Sequence, residues 1–255
     1  MLENTSFTFN GIDSETMGVT MINSGSGLYK DIFLPNRRLN EVKIGNRIYF
    51  KGVEREQISF PFSIYIDGWR ELNNLASVIE WLDQDNYCEF WVNNDPERIF
   101  DVIIEGSSDL IHNGLKDGYA TMTMKTMSPY GRSSNYTEQL QVRGTSTLDL
   151  INYGNKTIRP YLEITKVGNG DISIKNEENG QEFKITGLWN NEKVKVNCLY
   201  EEIESNFQDS TNRYLYDNHN DVWLDWNPHV HTTFTFKGDF NIEFRYRLIY
   251  TAETR

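Results

Sequence analysis

The 255-residue sequence predicts a mainly β protein with one helix, arranged as two domains. Three observations lead there. Short runs of β-branched and aromatic residues alternate with polar ones at a period of two along most of the chain. Only residues 68–83 shift to the three- and four-residue spacing of an amphipathic helix. A punctuated polar stretch, Ser128-Pro129-Tyr130-Gly131-Arg132, then separates a mixed first half from a second half of strands alone. The boundary is placed there. Residues 1–132 form the first domain and residues 133–255 the second, with the last strand free to return toward the first.

Ser6 to Asn10 reads as a strand closed by the turn pair Asn10-Gly11. From Glu41 to Phe50 the sequence reads as a hairpin around Gly45-Asn46, a two-residue connection in which Gly takes positive φ. Its apolar flanks, Val42 and Ile44 against Ile48 and Phe50, and its unpaired edge would let it pair with another chain. Ile58, Phe60, Phe62, Ile64 and Ile66 mark a half-buried strand, and Pro61, which cannot donate to a ladder, places it at an edge or bulge. The helix follows, with Asp67 as N-cap and the stripe Trp69, Leu72, Leu75, Ala76, Ile79 and Leu82 toward a sheet; Val78 and Trp81 lie on its flank. Tyr87 to Val92 and Ile99 to Ile104 form a hairpin across Asn93-Asn94-Asp95-Pro96, and Tyr119 to Met127 is a further strand. In the second half, 147–151, 161–165, 171–175, 182–186, 193–199, 231–236 and 241–250 are short strands between turns, the pattern of a β-sandwich.

Hydrophobic residues at 38% are enough for a globular core. The balance of 25 Lys and Arg against 37 Asp and Glu gives −12, which repels phosphate backbones and anionic membrane surfaces. Direct nucleic-acid binding and membrane association are therefore not expected. No apolar run reaches about 18 residues, the length of a membrane span. Met1-Leu2-Glu3-Asn4 shows no basic segment ahead of an apolar run, so no signal peptide is expected. Cys88 and Cys198 are read as small core hydrophobes, too few for a zinc site.

Little chemistry stands out. No nucleotide-binding loop or nucleophile elbow is present. His229 and His231, with Asp217, Asp221 and Asp225 nearby, could supply metal ligands, but a polar strand face beside an acidic loop is the plainer reading. Glu201, Glu202 and Glu204 lack the cross-cleft spacing of a glycosidase pair and read as solvated surface. No catalytic residue, cofactor or metal is expected. Tyr214, Tyr216, Trp223 and Trp226, set among Asp and Asn, form a candidate platform for stacking a saccharide; core filling is the stronger reading, because aromatics bury large areas.

The order of these signals resembles the distal tail proteins of siphophages that infect Gram-positive bacteria. Phe7-Thr-Phe-Asn-Gly11 with Gly18, the Gly45-Asn46 hairpin, strand 58–66, helix 69–82 and Ser128-Pro-Tyr-Gly131 follow that family's order. So do Asn152-Tyr-Gly-Asn155, Arg159-Pro160-Tyr-Leu-Glu-Ile, Gly168-Asn-Gly170 and the closing Phe236-Lys-Gly-Asp-Phe-Asn-Ile242. Gly-Asp-Phe-Asn at 238–241 departs from the shorter turn expected between the closing strands. The resemblance implies an N-terminal β-barrel-like domain with one helix and a C-terminal galectin-like, jelly-roll β-sandwich. It implies a non-enzymatic virion protein of the tail tip, made in the bacterial host cytoplasm. It further implies a six-membered ring, possible as two stacked rings, between the tail tube protein and a tail-associated lysin, fibre or receptor-binding protein. Hairpin residues Val42, Ile44, Gly45, Asn46, Ile48 and Phe50 would lie between subunits. A carbohydrate-binding module for host cell-wall saccharide is the alternative.

Overall fold

The computed structural model describes residues 5–22, 36–70, 74–112, 114, 118–207 and 215–251. The chain forms two compact units. One holds the described residues up to Arg132 together with Thr251; the other is Ser133–Tyr250.

The first unit contains β1 (Phe7–Phe9), β2 (Ile12–Asp13), β3 (Val19–Ile22), β4 (Arg37–Ile44), β5 (Arg47–Arg55), β6 (Ser59–Ile66), α1 (Asn74–Leu82), β7 (Cys88–Val92), β8 (Phe100–His112), β9 (Gly118–Thr126) and β10 (Tyr130–Arg132). Asn10 and Gly11 take φ of 50° and 75°, so β1 and β2 are joined by the turn whose twist matches a right-handed ribbon. A seven-stranded sheet runs β2-β1-β7-β8-β9-β6-β3. Its ends meet, because the Met21 N–H of β3 donates to the Thr5 carbonyl just before β1 at 3.0 Å. That bridge curls the sheet into the barrel-like form. Pro61 lies where β6 has β9 as its described neighbour, while β3 reaches only Ser63–Ile66; the missing donor falls on a local edge.

The helix is rotated from the expected orientation. Val78, Trp81 and Leu82 are buried, whereas Ile79 is 55% exposed. The reason is the tryptophan. Trp81 stacks on Phe7 at 5.6 Å and donates its indole N–H to the Phe9 carbonyl at 2.9 Å. A ring that large, with its polar atom satisfied, outweighs an isoleucine in choosing the inward face. Leu72 lies outside the described residues, and Gly68 to Arg70 form a turn rather than helix.

The second unit contains β11 (Tyr136–Ile151), β12 (Tyr161–Lys166), β13 (Gly170–Asn176), β14 (Glu182–Leu188), β15 (Lys193–Asn197), β16 (Glu202–Ser205), β17 (His231–Tyr246) and the start of β18 (Ile249–Thr251). The two closing strands expected at 231–236 and 241–250 are one strand through Tyr246, paired along its whole length with β11. Phe234 and Phe244 would stand roughly 33 Å apart on a straight strand, yet their rings are 5.2 Å apart. The strand is therefore folded over, and its two halves face one another. The hinge is Gly238, directly opposite Gly144, with φ of 114° and 75°. A Cβ on Gly238 would lie 2.7 Å from the Asp171 carbonyl oxygen. One half of β17 carries β13 and β14, and the other carries β12, β15 and β16. Phe234, Phe236, Phe240, Ile242 and Phe244 fill the space between, which makes the β-sandwich.

The Asn152-Tyr-Gly motif is a structural clasp. Asn152 is fully buried, accepts from the Gly154 N–H at 2.9 Å and donates to the Lys156 carbonyl at 2.8 Å. A Cβ at Gly154 would meet the Ile249 carbonyl at 2.7 Å.

Candidate functional site

The β4–β5 hairpin is the most unusual surface of the first unit. Among the described residues, neither strand pairs with a third, so both outer edges present unpaired backbone groups. Gly45 takes φ of 62° at the first turn position while Asn46 does not, which fits the two-residue turn with Gly first. The hairpin is longer than the sequence suggested, reaching from Arg37 to Arg55, with a bulge between Asn40 and Glu41.

Its register separates the four apolar residues onto two faces. Val42 opposes Tyr49 and Ile44 opposes Arg47, while Lys43 opposes Ile48 and Glu41 opposes Phe50. Val42 and Ile44 thus share a face with Tyr49, and Ile48 and Phe50 lie on the other. A two-residue turn demands this, because residues facing each other across it sum to a constant and Val42 cannot meet Ile48. Both faces are open: Ile44 is 65% exposed, Ile48 64%, Phe50 62% and Leu39 56%. Leu39 and Tyr49 were missed from sequence. Their signal was present, since alternation continues past Glu41 once the bulge is allowed.

The hairpin also carries its own charge. Residues 37–55 hold six Lys or Arg and two Glu, a balance of +4; the rest of this −12 chain is then −16. A basic ribbon bearing exposed apolar side chains on an acidic protein is matched to an acidic surface with apolar hollows.

The four aromatic residues are not assembled into a saccharide platform, and Trp226 takes the core-filling place. Trp226 is fully buried, with its ring 5.4 Å from Phe234, 5.9 Å from Phe244 and 5.3 Å from Tyr246. It plugs the fold of β17 and cannot face a ligand. Trp223 is half-buried, packed beside His219 at 4.7 Å, and burial lowers the pKa of that imidazole. Tyr216 is exposed, and its hydroxyl accepts from the Ile203 N–H at 3.3 Å. Tyr214 lies outside the described residues. Among the described residues, no three of His, Cys, Asp and Glu are grouped to hold a metal ion. His229 takes φ of 61° in the turn before β17, so it does not share a strand face with His231. Glu201 sits in a turn, 3.6 Å from Arg159, while Glu202 and Glu204 belong to β16. Cys198 is buried, and burial pushes its thiol pKa up to about 12, which keeps it protonated and inert.

Comparison with known proteins accounts for both units. Residues 2–128 match the family of phage tail protein N-terminal domains, and residues 130–246 match that of phage tail C-terminal domains. The chain belongs to this phage tail protein family. A relative of the phage tail protein is the uncharacterized SPbeta prophage-derived protein YomH of Bacillus subtilis. The two are 29% identical over 194 residues, covering 74% of this chain and 77% of the relative. The fold is similar to that of the SPP1 Dit (gp 19.1) protein, with a TM-score of 0.63 at 13% identity over 95% of this chain and 98% of that one. That protein is described as a paradigm of the hub adsorption apparatus in phages infecting Gram-positive bacteria.

Proposed function

We propose that this phage tail protein is a distal tail hub. Six copies close into a ring that joins the tail tube protein to the adsorption apparatus at the tail tip. The role is structural and requires no catalysis. The observation that carries it is the β4–β5 hairpin, which exposes apolar side chains on both faces and leaves both edges unpaired. Such a ribbon is stable in water only at a cost, and a neighbouring copy that covers it removes that cost. The contact is heterologous, a hairpin from one subunit against the body of the next, and heterologous contacts that close produce rings. Below the ring, a tail-associated lysin, fibre or receptor-binding protein is the partner the role calls for, and the protein would reside in the virion. The hub described for the SPP1 protein of like fold supports the reading.

The test is light scattering on the gel-filtered protein, followed by negative-stain imaging of the peak. Rings of six subunits, single or stacked, are expected. A protein that stays monomeric at high concentration, and also when mixed with its tail tube protein, would overturn the reading.

A further inference from the structure

Helix α1 turns a stripe of apolar and acidic side chains outward. Ala76, Ile79, Glu80 and Asp83 stand three and four residues apart, so they share one face. All four are exposed, Ile79 by 55%, while Val78, Trp81 and Leu82 hold the inner face against the core. The Asp83 N–H donates to the Ile79 carbonyl at 2.8 Å, which carries the helical turn past Leu82 and keeps Asp83 on the stripe.

The charge of this stripe runs against the helix. Residues 71–97 hold seven Asp or Glu and no Lys or Arg. Glu89 and Asp95 are held by Arg132 and Arg98. Among the described residues, Glu80, Asp83 and Asp85 have no such cation. The last turn of α1 carries no basic residue. Three carboxylates therefore gather at the negative end of a helix, where a cation is favoured and an anion is not.

The β4–β5 hairpin has the opposite excess. Its six Lys and Arg also lack an ion pair among the described residues, so the two charged surfaces do not neutralise each other within one chain. Lys43 stands directly opposite Ile48, on the face that also bears Phe50, and Arg47 lies beside them at the turn. Another exposed apolar spot of the first unit, Ile111 across from Tyr119, is less suited to this ribbon. It offers Asp109, while Glu105, farther along β8, is already paired with Lys125.

We propose that the outward stripe of α1 seats the β4–β5 hairpin of a second copy. Ile48 and Phe50 cover Ala76 and Ile79, and Lys43 and Arg47 reach Glu80, Asp83 and Asp85. The inference rests on the hub reading and names the acceptor surface that the hairpin needs. Each copy gives a hairpin and receives one on a different patch, which is the heterologous contact of a ring. Because the matched charges are exposed, assembly is sensitive to salt.

A charge exchange on the full chain tests it. Glu80→Lys with Asp83→Lys should keep or raise the melting temperature of the single chain, since cations suit a helix C-terminus. The same variant should weaken self-association by about tenfold or more in about 0.1 M salt, and by less in about 1 M salt, where the screening length falls to about 3 Å. Lys43→Glu with Arg47→Glu should weaken association in the same way, and the four changes together should restore it. Light scattering across a concentration series reads each case. Wild-type association in the α1 variant, or no restoration in the fourfold variant, would overturn this contact and leave the hub reading standing. Loss of binding to the tail tube protein with self-association intact would assign the stripe to that partner and overturn it as well. A wild-type chain that assembles neither alone nor with its tail tube protein would remove both readings.

Discussion

Replacing Ile48 and Phe50 with serine isolates what the hairpin contributes. The two side chains share one face of β5 and are 64% and 62% exposed in the single chain. Full burial of such a side chain is worth about 1.5–3 kcal/mol. Covering the exposed portion in a neighbouring subunit therefore stabilises by roughly 1–2 kcal/mol each, or about 2–4 kcal/mol for the pair. At about 1.4 kcal/mol per tenfold, each subunit contact should weaken by roughly 30- to 700-fold. The fold of the isolated chain should not suffer, because surface changes away from special features stay within about 0.5 kcal/mol. Light scattering across a concentration series measures the first effect, and urea unfolding of the dissociated chain measures the second. Subunit loss with unchanged chain stability is the expected pair of results. If the double variant assembles with the wild-type mass at the wild-type concentration, the hairpin is not the inter-subunit contact.

Three further outcomes follow from the cores. Gly238→Ala should destabilise the second unit by about 3 kcal/mol or more, since the new Cβ would meet the Asp171 carbonyl at 2.7 Å and φ is 114°; Gly144→Ala, with open space around its Cβ, should cost only about 1–2 kcal/mol in the same urea titration. Trp226→Ala should lower stability by about 3–5 kcal/mol through the cavity it leaves, and wild-type stability would refute its place in the core. Cys198 should resist a thiol reagent in the native state and react once urea unfolds the chain. Because its folded pKa of about 12 exceeds the ordinary 9.0, the stability it contributes is present below pH 9.0 and is lost as pH rises toward 12. A Cys198→Ala variant should lose that alkaline slope in unfolding titrations at successive pH values.

Arg132 offers a separate check on the first unit. Its guanidinium holds Asp101 through two hydrogen bonds of 2.9 and 2.7 Å and Glu89 through one of 2.7 Å. The carboxylates are partly exposed, so Arg132→Ala should cost about 1 kcal/mol, and Lys should not restore it, because the fork geometry is lost.

Much of this protein is written locally. Asn10-Gly11 and Gly45-Asn46 each dictate a two-residue reversal, because only such residues accept the required backbone there. The period-two runs mark most strands, and the Phe/Asn/Gly strings in their order carry the resemblance to phage tail proteins. Three features were settled only in the tertiary structure. The helix turned Trp81 rather than Ile79 inward, because Phe7 and the Phe9 carbonyl wait on that side. Residues 231–246 became one folded strand instead of two, because Gly144, about ninety residues earlier, stands opposite Gly238 and bends with it. Trp226 went into that fold, which removed it from any sugar platform. Periodicity tells which way a side chain alternates within its own strand. Which strand lies beside it depends on register between distant segments, and no local pattern encodes that.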